Sequence, residues 1–168
     1  RARSVSRGLG DVYKRQEVTP FATPHDSAQS LGFRIQTADG RQFALATDLG
    51  VVTPCVREHL LGAEFVVLES NHDREMLRNG PYPAYLKRRI LAGTGHLSNG
   101  DCAAFLPELA RAGAKRFLLA HLSGENNTPS LARQEAVSAL SAAGYQEGTG
   151  FWLDVAPVEN QEGKSIIF

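Results

Sequence analysis

Four of the five histidines stand in polar loops or directly after apolar runs. His25 precedes Asp26 in TPHDS and His72 precedes Asp73 in ESNHD. His96 lies in GTGHLSNGD, and His121 follows an apolar run in LLAHLSGENN. Asp48 closes another such run in ALATDLG, and Glu69 follows Val66-Val67-Leu68. The fifth, His59, sits in the helix-like stretch Arg57-Glu58-His59-Leu60 and reads as a surface residue. The open strand ends of an α/β sheet are where ligands and catalytic groups gather. One polar residue at a strand end means little, since every strand must end and be capped. The joint occurrence of Asp48, Glu69, His72 and His121 at strand ends, with His25 and His96 in loops, points to metal or acid–base chemistry. Imidazole and carboxylate donors suit Zn, Mn or Fe. No HxxxH or CxxC pair occurs, so a metal site must be assembled from separate loops. A carboxylate such as Asp48 can bridge two cations, and two cations can activate water and steady an in-line phosphoryl transition state.

The elements that must position these residues follow from pattern and punctuation. Residues 31–37 and 42–47 alternate as two strands around an Asp39-Gly40 turn. Thr53 and Pro54 open a short helix to about Leu61. Residues 65–68 form a buried strand that ends in five polar residues, and 84–91 a short basic helix. Ser98 caps the next helix, which ends near Gly113, with Asp101 in an approximate capping box. Pro107 predicts a kink in that helix or a later start. Residues 117–120 are a second buried strand ending at His121. A helix from Thr128-Pro129 stops at Gly144, and residues 151–155 are the last strand. Strands and helices in this order predict a layered α/β domain.

The chain has 168 residues, with 18 basic and 18 acidic side chains and 42% hydrophobic residues. That composition describes a folded globular domain and excludes whole-chain disorder. No window approaches the roughly 20 apolar residues of a membrane span. The neutral total gives no global field for an anionic membrane or polymer. The balance is uneven, however. Residues 1–16 carry five basic side chains against Asp11, leaving 13 basic and 17 acidic in the rest. They lack apolar periodicity, and DVYKRQ reads as a leader foreign to the domain. Cys55 and Cys102 make no disulfide framework. Both are expected in helices as small buried hydrophobes, in a reducing, cytoplasmic compartment.

Taken in order, TPHDS, ALATDLG, ESNHD, HLSN and LLAHLSGENN resemble the C-terminal half of a metallo-β-lactamase-fold hydrolase. The branch they resemble is the YycJ/WalJ-type exonuclease-like one, over roughly residues 17–155. The resemblance implies half of an αββα fold: a mixed sheet with helices on one side, and a tail over 156–168. It implies that His25, Asp48 and His121 are metal ligands, with Asp48 bridging two Zn or Mn ions. It further implies that His96 protonates the leaving group and that Glu69 orients it. His72 is assigned a supporting or substrate-phosphate role, and Asn126 and Asn127 a substrate-side or loop-shaping one. The implied activity is a nuclease or phosphodiesterase in which a hydroxide held by two metals attacks nucleic acid or another phosphodiester.

The HxHxDH signature of that family is absent from the sequence. The chain is therefore expected to be a fragment, with at most three ligands and no activity on its own. Two other readings stand beside this one: a glyoxalase-II-like hydrolase of an ester or thioester, and a non-catalytic binding module whose histidines only cap strands. The Gly93-Thr94-Gly95 stretch is too short for a dinucleotide fingerprint. Lys87-Arg88-Arg89, with Tyr82 and Tyr85, could touch phosphates and stack on bases, or could be a solvated helix face.

Overall fold

A computed structural model describes residues 16–157. The expected leader, save Gln16, and the expected tail beyond Pro157 lie outside the described residues. Six strands form one mixed sheet in sequential order. β1 (Glu17–Ala22), β2 (Leu31–Gln36) and β3 (Gln42–Ala46) are antiparallel neighbours. β4 (Phe65–Glu69), β5 (Arg116–Ala120) and β6 (Trp152–Val155) continue the sheet in parallel from β3. The helices are α1 (Pro54–Leu60), α2 (Arg74–Asn79), α3 (Ala84–Ile90), α4 (Asn99–Arg111) and α5 (Pro129–Ala142).

Alternation decides which face of the sheet is covered. Ala44, Ala46, Val66, Leu68, Phe117, Leu119 and Leu153 are buried. They join Val56, Leu60, Leu106, Leu109 and Leu140 of α1, α4 and α5 in one core. Period-2 strands and period-3.6 helices thus present one apolar face to each other.

Two elements escape the sequence reading. β1 contains Pro20, which cannot donate to a ladder, and its only strand neighbour among the described residues is β2; an edge position tolerates that loss. Its Phe21 ring lies over Gly32, where an added Cβ would sit 2.4 Å from the ring. α2 hides in the polar run after β4. Asp73 is its cap and accepts from Met76 N–H at 2.7 Å. Two expectations are corrected. α4 begins at Asn99 behind its Ser98 cap, so Pro107 lies well inside the helix and does not mark a later start. Cys55 is exposed, because helical rotation turns Val56 and Leu60 inward instead; Cys102 is buried.

Candidate functional site

Parallel pairing gathers three loops at one edge. Ala46 lies opposite Leu68, and Glu69 lies opposite Ala120. The residues just beyond, Asp48 and His121, are thereby brought beside Glu69. Both adopt left-handed backbone, at φ 54° and 58°. A non-glycine residue there is strained, and such strain persists only where the surroundings enforce it. Here the enforcers are visible. Ser30 Oγ donates to the Asp48 carbonyl at 3.2 Å, and Asn71 Nδ2 donates to the His121 carbonyl at 2.8 Å.

Glu69 is the hub. It is 0% exposed. Its Oε1 accepts from Nδ1 of His121 at 2.6 Å and of His96 at 2.8 Å. Its Oε2 accepts from the backbone N–H of Leu49 at 2.9 Å and of Leu97 at 3.3 Å. Burial pushes the Glu69 carboxyl up, but the hydrogen bonds from His121, His96 and Leu49 outweigh it and hold the carboxyl below its ordinary value. The Glu69 hydrogen bond raises the His121 imidazole above its usual value, against the opposing effect of burial. An ionised carboxylate only accepts, so both histidines carry their proton on Nδ1 and leave Nε2 as a free donor atom.

His25 reaches the same state through a backbone partner. Its Nδ1 lies 3.0 Å from the Gly95 carbonyl, and its Nε2 lies 3.7 Å from Asp48 Oδ1. The glycine is required at that place: a Cβ on Gly95 would stand 2.2 Å from the Ile90 carbonyl. Close chain approach accounts for Gly95, whereas a Cβ on Gly93 would meet nothing nearer than 3.9 Å. The three imidazoles form a row, with His25 and His96 rings 4.9 Å apart and His96 and His121 rings 5.1 Å apart.

These donors fit a divalent cation. One ligand atom each from Asp48, Glu69, His96 and His121 lies within 4.8 Å of the others. His25 stands outside that group but turns Nε2 to Asp48 Oδ1 at 3.7 Å, where His121 and His96 turn Nδ1 at 3.6 and 3.9 Å. The same residues line an open cavity of about 490 Å³. Its other walls include Tyr82, Leu86 and Arg89 from the α3 region.

Other residues singled out in the sequence lie elsewhere. His72 is 1% exposed, and neither ring nitrogen has a hydrogen-bond partner among the described residues. Burial pushes its imidazole below the usual value, and it does not line the cavity. Asn126 and Asn127 are buried, and Asn127 ties the backbone of Ser70 and Asn71. His59 stacks on Phe21, with ring centroids 4.6 Å apart. Sequence reasoning missed Asn71 and the pair Asp26–Arg89, whose contacts measure 2.5 and 3.0 Å. Asp26 Oδ1 is 3.6 Å from His25 Nε2, so this ion pair borders the site. Adjacency to His25 was the available signal for Asp26; nothing local signalled Asn71.

Comparison with known proteins places this geometry. A family model described as a beta-lactamase superfamily domain matches residues 10–122. An exodeoxyribonuclease YycJ of Bacillus anthracis is 39% identical over 143 residues, which is 85% of this chain and 52% of that protein. An exodeoxyribonuclease WalJ of Streptococcus pneumoniae serotype 2 (strain D39 / NCTC 7466) is 34% identical over 153 residues, 90% of this chain and 55% of that protein. The chain thus spans about half the length of the curated relatives it matches. The crystal structure of a diphosphatase from the PhnP family superposes with a TM-score of 0.51 at 15% identity, covering 85% of this chain and 41% of that one. With most of its described sheet and its row of histidines inside the matched span, the chain belongs to the beta-lactamase superfamily, a family of hydrolases, and has the metallo-β-lactamase fold.

Proposed function

We propose that these residues form one side of the catalytic centre of a metal-dependent phosphodiesterase, a nuclease acting on nucleic acid. The carrying observation is the row of three imidazoles whose Nδ1 atoms are pinned by Glu69 and Gly95, each with a ring nitrogen within 3.9 Å of Asp48, at an open cavity. The exodeoxyribonuclease relatives support the substrate class.

In this reading His25, Asp48 and His121 would hold the cation. Zn or Mn suits such mixed nitrogen and oxygen donors. When bound, divalent cations supply Lewis acidity toward a phosphoryl oxygen and lower the pKa of water. Glu69 fixes the tautomer and direction of His96 and His121. His96, less exposed than His121, would take up a proton on Nε2 while Glu69 holds its Nδ1–H, and that imidazolium would hand the Nε2 proton to the leaving oxygen. Asn71 fixes the left-handed turn that aims His121. His72 supports the loop from within the fold and does not touch substrate.

Three ligands satisfy neither cation of a pair, since zinc takes four. The 168 residues alone are therefore inactive in this reading, and a segment carrying HxHxDH completes the site. The test uses end-labelled linear DNA with Mn or Zn. The chain alone is expected to release no nucleotides. Yet the cation should raise its melting temperature, because ligands that bind the native state stabilise it. The protein extended by an HxHxDH-bearing segment should degrade the DNA, and His96→Ala should slow it by about 10²–10⁴-fold. Hydrolysis of a thioester but not of DNA by the extended protein would sink the reading, as would turnover by the chain alone.

A further inference from the structure

Helix α3 departs from the rest of the fold in one respect: none of its residues is buried. Each of the other helices buries at least one apolar residue; α3 buries none. An apolar stripe nevertheless runs from Tyr82, which precedes the Pro83 cap, to Leu86 and Ile90, which lie four apart on α3. All three are half-buried, and all three line the same cavity as the histidines and Asp48. Residues four apart share one helix face, so this face looks into the cavity and not into the core. The stripe is joined to the site, since the Ile90 carbonyl accepts from the His96 backbone N–H at 3.0 Å.

The polar residues beside the stripe divide the basic cluster. Lys87 is turned away and donates to the Arg78 carbonyl at 2.7 Å. Tyr85 is 67% exposed and is not part of the cavity wall. Arg89 faces the cavity. Its Nε and Nη2 donate to Asp26. A guanidinium has five N–H donors in a planar fork, so others remain for an anion. A wall with a flat aromatic ring, two aliphatic side chains and a cation fits a ligand that joins a planar apolar part to an anionic part. The cavity volume of about 490 Å³ lies within the range of small-molecule sites.

We propose that the wall made by Tyr82 and the Leu86–Ile90 face of α3, with Arg89 at its rim, is a nucleotide subsite in which a nucleobase stacks on Tyr82 next to the cation-binding residues. This inference rests on the nucleic-acid reading given above. It deepens that reading by naming what holds the base. Stacking on an aromatic ring tolerates any base, because each has a π face.

The test is a calorimetric titration of the chain with 2′-deoxyadenosine 5′-monophosphate and, separately, with 2-deoxyribose 5-phosphate, each with Mn and with chelator. The nucleotide is expected to bind about tenfold more tightly than the sugar phosphate, the lower range of a stacked base. Tyr82→Ala should abolish that preference and leave sugar-phosphate affinity unchanged. Tyr82→Phe should keep it, and both variants should melt with the parent. A short single-stranded oligonucleotide binding more tightly than the mononucleotide identifies a strand end as the occupant; equal affinity identifies a free nucleotide. Equal affinity of the parent chain for nucleotide and sugar phosphate overturns the proposal, and so does a base preference that survives Tyr82→Ala. Failure of the nuclease reading shows instead in the DNA degradation and cation-melting assays, which the binding ratio does not touch.

Discussion

Two polar regions meet where β4 and β5 end, and they treat their polar atoms in opposite ways. Behind the site lies a closed cluster of Ser70, Asn99 and Asn127, all buried. Asn127 Nδ2 donates to the Ser70 and Asn71 carbonyls and to Asn99 Oδ1, at 2.8, 3.1 and 2.8 Å. Asn99 Nδ2 donates back to Asn127 Oδ1 at 2.9 Å, and Ser70 Oγ donates to Asn99 Oδ1 at 2.7 Å. In front lies the open row of His25, His96, His121 and Asp48. There one ring nitrogen of each histidine is fixed, the other is left available, and two residues are held in strained backbone. Fully paired buried amides rigidify a fold. Strain and available donor atoms are what a ligand site keeps. Substitutions in the closed cluster should therefore reduce stability and spare the cation response, while those in the open row should do the reverse.

Glu69 is as buried as the closed cluster but bonded to the open row, and its loss should be the largest effect. Glu69→Ala removes the acceptor of two imidazoles and two backbone N–H groups in a buried place. Breaking a buried charged network by deleting one partner costs about 3–5 kcal/mol. Urea denaturation should show that loss, and the cation-dependent rise in melting temperature should vanish with it. A cost below about 1 kcal/mol would mean that Glu69 is not the hub of a buried charged network.

Asn127→Ala is the next largest. It leaves the Ser70 and Asn71 carbonyls and the Asn99 amide without their partner. Unsatisfied buried groups cost about 1–3 kcal/mol each, and a total near 3 kcal/mol is expected because the loops partly relax. The stabilisation given by saturating Zn or Mn should remain that of the parent. If the cation response fell with stability, the closed cluster would be part of the metal site and the separation would fail.

How these two regions look in the sequence explains what was legible. The strand ends, the caps Thr53, Ser98 and Thr128, and the loop histidines are local signals, and the order of elements along the chain, β1 and α2 apart, followed from them. The resemblance then ordered the motifs into one family. What the sequence could not separate is which polar residue in ESNHD, HLSN and ENN faces out. Asn71 and Asn127 read alike, yet one holds the His121 carbonyl and the other locks the closed cluster. His72 and His96 also read alike; one is enclosed by the fold and the other stands on the cavity wall. Those differences arise from pairings 28 to 57 residues apart, which no local window contains. β1 was missed because Pro20 argues against a strand unless its edge position is known.

Asp48→Gly sharpens the open side and reverses the sign of the stability effect. The residue sits at φ 54°, where glycine has no Cβ penalty. Relief of that strain should leave the cation-free protein as stable as the parent or more so by up to about 1 kcal/mol, offset in part by the greater freedom of glycine when unfolded. The same change deletes the carboxylate next to His25 and His121. The parent should gain about 2.7 kcal/mol at a cation concentration 100 times its dissociation constant, and Asp48→Gly should lose most of that gain. A variant that is both less stable and fully cation-responsive would contradict the assignment of strain to ligand placement.

His72 lies between the two cases, since it is enclosed like the amides but left unpaired like the donors. Burial lowers its pKa from 6.5 in the folded chain, so the native state holds it neutral. Above pH 6.5 neither state takes a proton and His72 imposes no pH-dependent penalty. As the pH falls below 6.5 the unfolded chain binds a proton first, and stability is lost until the lowered folded value is passed. His72→Leu has a similar volume and gives up no hydrogen bond, so at pH 7.5 it should change stability by less than about 1 kcal/mol. At pH 5 it should be more stable relative to the parent than at pH 7.5, because the protonation penalty is gone. Denaturation of both proteins at the two pH values reads this difference directly, with the other titrating groups common to both. An unchanged gap between the proteins would show that His72 is paired in the native state, which would place it with the closed cluster.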